Sequence, residues 1–149
     1  MDSAPGFLFP LVVTLAIGAV AINTFREVRR GISPSRFGIA LSVAPSLLHL
    51  ILYYSLAIHM RLSLGAWPRS IGEHGFPSGL LIHEKVTMGY FAGLLVVTVF
   101  GWPIAYVVSL LVRPWRRCAF YLGLHVVALI ISTLIMLLAP FAFQEWWWD

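Results

Sequence analysis

FGIALSVAPSLLHLILYYSLAIHM, residues 37–60, runs for 24 positions without Asp, Glu, Lys or Arg and is bracketed by Arg36 and Arg61. A helix needs roughly 20 predominantly apolar residues to cross about 30 Å of hydrocarbon, so this run predicts a transmembrane helix. Inside it, Ser42, Ser46, His49 and Tyr53 are separated by steps of four, three and four, which puts them in one stripe. A polar stripe is costly against lipid and natural against other helices, so it predicts the inner face. Pro45 removes an N–H within this helix and requires neighbours to resatisfy the backbone there.

Three further uncharged runs flank it: Ser3–Phe25 with 23 residues, and Val86–Val112 and Cys118–Gln144 with 27 each. Together the four runs take up 101 of 149 positions. Charged residues are 11% of the chain, against about 25% in soluble domains, and 60% is hydrophobic. These proportions exclude intrinsic disorder and most soluble folds. The expected fold is an all-α integral membrane protein, an antiparallel four-helix transmembrane bundle forming a single domain over 1–149. The spans are placed at 7–26, 35–61, 78–112 and 117–143, with a loop at 62–82. The first apolar run resembles a signal sequence at Ala19-Val20-Ala21, but Asp2 precedes it and Arg26, Arg29 and Arg30 follow it, so a retained helix is expected.

Basic residues set the orientation. Four arginines fall in 26–36 and three in 113–117, whereas the first 25 residues and the last 32 contain no Lys or Arg. The positive-inside rule then places both short turns in the cytoplasm and both termini outside, in a bacterial inner or plasma membrane. The 62–82 connection is expected to be a structured or interfacial extracytoplasmic loop. It mixes Leu62, Leu64, Trp67, Ile71 and Phe76 with bends at Gly72, Gly75, Pro77 and Gly79, and Ser78 is expected to cap the third helix. That helix is long enough to require tilt or a break, and Gly101-Trp102-Pro103 is the expected break. Trp146-Trp147-Trp148 is expected to anchor the chain end at the outer surface.

Candidate functional residues fall into three groups. Tyr121, His125 and Ser132 continue on the fourth helix the polar face of Ser42, Ser46, His49 and Tyr53 on the second. His49 and His125 are candidate haem or quinone contacts, since intramembrane imidazoles mark cofactors, proton paths or buried hydrogen bonds. Their depths differ, however: His49 lies about 20 Å from Arg36 and His125 about 12 Å from Arg117 by helical rise. His59, His74 and His83 form a candidate outer metal site, although their spacing is no established metal signature. Gly18, Gly89 and Gly93 are candidate helix-packing positions, the last two as a Gly-x-x-x-Gly pair.

The motifs for serine, zinc-protease, CxxC and nucleotide chemistry are missing from the sequence, and none of the four runs contains a carboxylate for proton transport. The basic residues are split between two short turns, which argues against nucleic acid. The expectation is therefore a non-enzymatic membrane protein, without a resident cofactor, that contacts lipids and packs as an accessory subunit or small homo-oligomer. The alternatives are a haem- or quinone-binding electron-transfer subunit and a small channel or solute carrier built by oligomerisation.

Overall fold

The computed structural model of the protein describes residues 34–68 and 75–148, together with the isolated positions 18, 22, 26 and 29. The expected first span therefore lies outside the described residues except at those positions. Helix α1 is Arg36–Leu64. Ser35 caps it, its Oγ accepting from Gly38 N–H at 3.0 Å and so satisfying one of the free donors of the first turn. Gly65 ends it at φ +66°, a left-handed conformation that glycine adopts at little cost, and Arg61 Nη1 donates to the Gly65 carbonyl at 2.8 Å. Arg61 also lies 5.7 Å from the centre of the Trp67 ring, so α1 continues through Leu62–Leu64 before the chain turns.

Helix α2 is Ser78–Val96, a π-helical turn follows at Val97–Gly101, and α3 is Trp102–Leu111. Pro77, not Ser78, stands at the N-cap, and its carbonyl accepts from the Leu80 and Leu81 amides. The three pieces form one apolar rod, Ser78–Leu111. The break expected at Gly101-Trp102-Pro103 takes the form of a widened turn. Pro103 has no N–H and its ring crowds the carbonyl one turn back; the Trp102 amide reaches five residues back to Val97, which opens the helix there.

A 3₁₀ turn at Arg113–Trp115 leads into α4, Arg116–Met136. The last described helix, α5, is Phe141–Trp148. Pro140 cannot extend α4, and its carbonyl instead accepts from the Phe143 and Gln144 amides to start α5. Gln144 Nε2 donates to the Leu137 and Ala139 carbonyls at 2.9 and 2.6 Å, which ties the turn together. Phe143, Trp146 and Trp147 thereby turn inward against Tyr53, Leu56 and Met60, and only Trp148 of the tryptophan triplet is exposed. The expected surface anchor is instead mostly core, because the turn at 137–140 reverses the direction these rings face.

The protein is an all-α, integral, multi-pass membrane protein in which three helices, Arg36–Leu64, Ser78–Leu111 and Arg113–Met136, are long and apolar enough to span a bilayer. Its exposure pattern is that of a lipid-facing bundle. Leu62 is 79% and Phe100 66% exposed, whereas Ser42, Ser46, His49, Thr87, Ser109 and Ser132 are buried. In water this arrangement would expose large apolar patches; in hydrocarbon it places apolar side chains on lipid and polar ones on protein.

Candidate functional site

The polar stripe of α1 forms a seam with α4, and its bonds show that the two helices run parallel. The Ser35 amide donates to Tyr121 Oη at 2.9 Å, and Tyr121 Oη donates to Ser35 Oγ at 3.3 Å. His125 Nδ1 bonds the Ser42 carbonyl at 3.1 Å, Ser132 Oγ donates to the Ser46 carbonyl at 3.2 Å, and Tyr54 Oη donates to the Ile135 carbonyl at 2.6 Å. The sequence separations of these four pairs are 86, 83, 86 and 81, so the register drifts little along the seam.

The donors gather around Pro45, although the carbonyl left without its helical partner by that proline is Leu41. The carbonyls of Ser42, Pro45 and Ser46 each receive a side chain from another helix: His125 and Ser132 from α4, and Tyr90 Oη from α2 at 3.0 Å. A proline-weakened turn in a membrane helix is tolerated when neighbours supply such bonds. Bonds between membrane helices are worth about 0.6 kcal/mol on average, so the seam is a distributed lock with no single dominant contact. Sequence reading missed Tyr90, although Thr87, three residues before it and buried, was a usable signal. It also missed Gly38. A Cβ at Gly38 would come within 2.4 Å of the Tyr121 ring, so glycine is what lets that ring cross α1 and reach Ser35.

His125 has a defined tautomer. A carbonyl only accepts, so Nδ1 carries the proton toward Ser42 and Nε2 is left as the acceptor. The ring borders a cavity of about 460 Å³ whose other lining residues include Gly38, Ser42, Ser109, Cys118 and Tyr121. That volume is in the range of small-molecule sites.

His49 belongs to a different environment. It is 1% exposed, stacked on Phe91 at 4.9 Å with 15° between the rings, and 6.5 Å from the Trp147 ring. Tyr53 lies edge-on to Trp147 and Phe143, at 5.0 Å from each. Both His49 nitrogens, Ser46 Oγ, Tyr53 Oη and Trp147 Nε1 are buried without a hydrogen-bond partner among the described residues. Such a concentration of orphaned polar atoms is unusual, since buried polar groups are nearly always paired.

His49 and His125 are therefore not brought to one site. His125 bonds at the level of Ser42, seven residues and about 10 Å of helical rise from His49. Two imidazoles that flank one haem iron must meet at one depth, and this pair does not.

The outer histidines do converge in part. His59 Nδ1 is 3.0 Å from His83 Nδ1, and His83 Nε2 is 3.1 Å from Ser55 Oγ. His74 lies outside the described residues, and among the described residues no group of three His, Cys, Asp or Glu side chains is placed to hold a metal. Ser55 was not anticipated, although its position one turn before His59 was a usable signal. The packing glycines behave alike: among the described residues, a Cβ at Gly18, Gly89 or Gly93 would meet nothing within 4 Å. Compared with protein-family models, curated proteins and solved structures, the chain gives no match.

Proposed function

We propose that this protein is a non-enzymatic, four-span membrane subunit that works by packing, and that it associates with a second copy or another membrane protein through the Gly89–Gly93 face of α2. One contrast carries the reading. At Gly38 the missing side chain is matched by a ring that fills the notch, whereas the notches at Gly89 and Gly93 meet no side chain or backbone among the described residues. The opposite face of α2 is already committed, with Thr87 and Leu94 buried and Tyr90 bonded to Pro45. The glycines instead share the outward face with exposed Val86, Val96 and Phe100, which form a groove for close approach of another helix. In this reading the first span completes the bundle, the two arginine-bearing turns face the cytoplasm, and both termini are outside. Replacing both glycines by leucine fills the groove from this chain's side. The particle mass in native lipid should then fall to that of one chain while the fold is kept.

A second reading is supported by the cavity beside His125. Its apolar walls and one imidazole acceptor suit a quinol-class molecule, whose hydroxyl would donate to Nε2. Quenching of tryptophan fluorescence by a short-chain quinol measures this binding. His125→Ala should weaken it by roughly tenfold, the value of one hydrogen bond, and an unchanged affinity in the folded variant would exclude this site.

A further inference from the structure

The geometry points to a transition-metal site at the outer ends of α1 and α2, in which His59 Nδ1 and His83 Nδ1 ligate one zinc-type dication and Ser55 orients His83. The inference is independent of the glycine groove and of the His125 cavity.

The proton positions follow from the bonding partners. Ser55 Oγ is 3.0 Å from the Leu52 carbonyl, which only accepts, so the hydroxyl proton points there. The Ser55 oxygen then accepts from His83 Nε2–H at 3.1 Å. A neutral His83 with its proton on Nε2 has its lone pair on Nδ1, and that lone pair faces His59 Nδ1 at 3.0 Å. His59 therefore holds the one proton between the two nitrogens.

The two imidazoles supply two ligands of a metal site; no third His, Cys, Asp or Glu side chain joins them among the described residues, so water completes the coordination. Two ligands of a tetrahedral zinc, each about 2.0–2.1 Å from the ion, are about 3.3 Å apart. The two nitrogens need to separate by a few tenths of an ångström, and each ring must turn so that its Nδ1 lone pair points at the ion instead of at the other nitrogen. A metal-bound histidine characteristically gives its other N–H to an acceptor that fixes the ring, and the His83–Ser55–Leu52 relay does this before any ion arrives. Binding moves the His59 proton from Nδ1 to Nε2 through water, so both ligands remain neutral imidazoles and no net proton need leave.

Access is also suitable, and the charged residues that follow His83 on α2, Glu84 and Lys85, are of opposite sign. His59 is five residues from the end of α1 and His83 five from the start of α2, about 7–8 Å by helical rise, which is within reach of headgroup water. Both side chains are half-buried, which leaves room for water as the remaining ligands among the described residues. Arg61, the nearest cation on α1, bonds Gly65 and lies beside Trp67. Imidazole ligands favour zinc, copper and nickel over magnesium or calcium, which take oxygen.

The test is calorimetric titration of the tag-free full chain in lipid nanodiscs with Zn²⁺ alone, with Mg²⁺ as the control. One Zn²⁺ per chain is expected and no response to Mg²⁺. His59→Ala and His83→Ala should each weaken binding at least tenfold, and Ser55→Ala should weaken it measurably while both imidazoles remain. Helix content and melting of each variant separate loss of the site from loss of the fold. Absence of saturable Zn²⁺ binding in the folded wild-type chain would overturn the proposal. So would stoichiometric binding that survives both histidine substitutions.

Discussion

Gly38 and Tyr121 show how much a single missing side chain can decide. The Tyr121 ring crosses α1 where a Cβ would stand, and its hydroxyl bonds both the amide and the side chain of Ser35. Gly38→Ala should therefore displace the ring and break the cap contact. The expected destabilisation is about 1–3 kcal/mol from overpacking, set against up to about 1 kcal/mol that alanine gains over glycine inside a helix. Thermal melting in detergent should show a lower midpoint, and combining the substitution with Tyr121→Ala should recover part of the loss. A higher midpoint for Gly38→Ala alone would contradict the close contact. The role of Gly38 was not legible in the sequence, because a glycine filled by a distant ring and a glycine left open at position 89 are written with the same letter. The polar residues of the stripe were legible, since spacing puts them on one face. Their partners were not, because Ser42, Pro45 and Ser46 contribute backbone carbonyls that any residue would carry.

At the scale of the element, the charges at both ends of α1 and at the start of α4 were the strongest signal. Arg36 begins α1 and Arg61 lies in its last turn, while Arg116 and Arg117 begin α4. The interior breaks were only partly visible. Pro103 announced a defect, but that the defect is a π turn at Val97–Gly101 depends on how the Trp102 amide finds its acceptor. Pro140 was passed over within an uncharged run, and the end of α4 and the inward turn of α5 were missed with it. The basic turn between α3 and α4 makes a prediction about orientation. Cys118, exposed in the first turn of α4, is the only cysteine in the chain. A membrane-impermeant thiol reagent should label it in inside-out vesicles and not in right-side-out ones. Labelling from the outer face alone would reverse the proposed orientation.

Among the described residues of the whole molecule, many large aliphatic side chains lie outside while buried hydroxyls and an imidazole lie between helices, beside an apolar cluster around Tyr53, Leu56, Met60, Phe143 and Trp146. In a bilayer, apolar burial gives little drive for helices to associate, so shape and hydrogen bonds hold them together. The α1–α4 seam uses bonds, and the glycine face of α2, unfilled among the described residues, offers shape. The class of the protein was legible because scarcity of charge over about 20 residues has one common physical cause. Its work was not, because packing surfaces carry no motif, and the histidines that looked like one pair belong to separate environments. The central claim is association through Gly89 and Gly93, and particle mass in native-lipid nanodiscs tests it most directly. The account predicts that the wild-type particle contains a second 16.6 kDa chain or a copurifying membrane protein. The Gly89→Leu/Gly93→Leu variant should contain one chain alone with unchanged helix content and melting. A wild-type particle holding a single chain, or a folded double-leucine variant that keeps its partner, would contradict it.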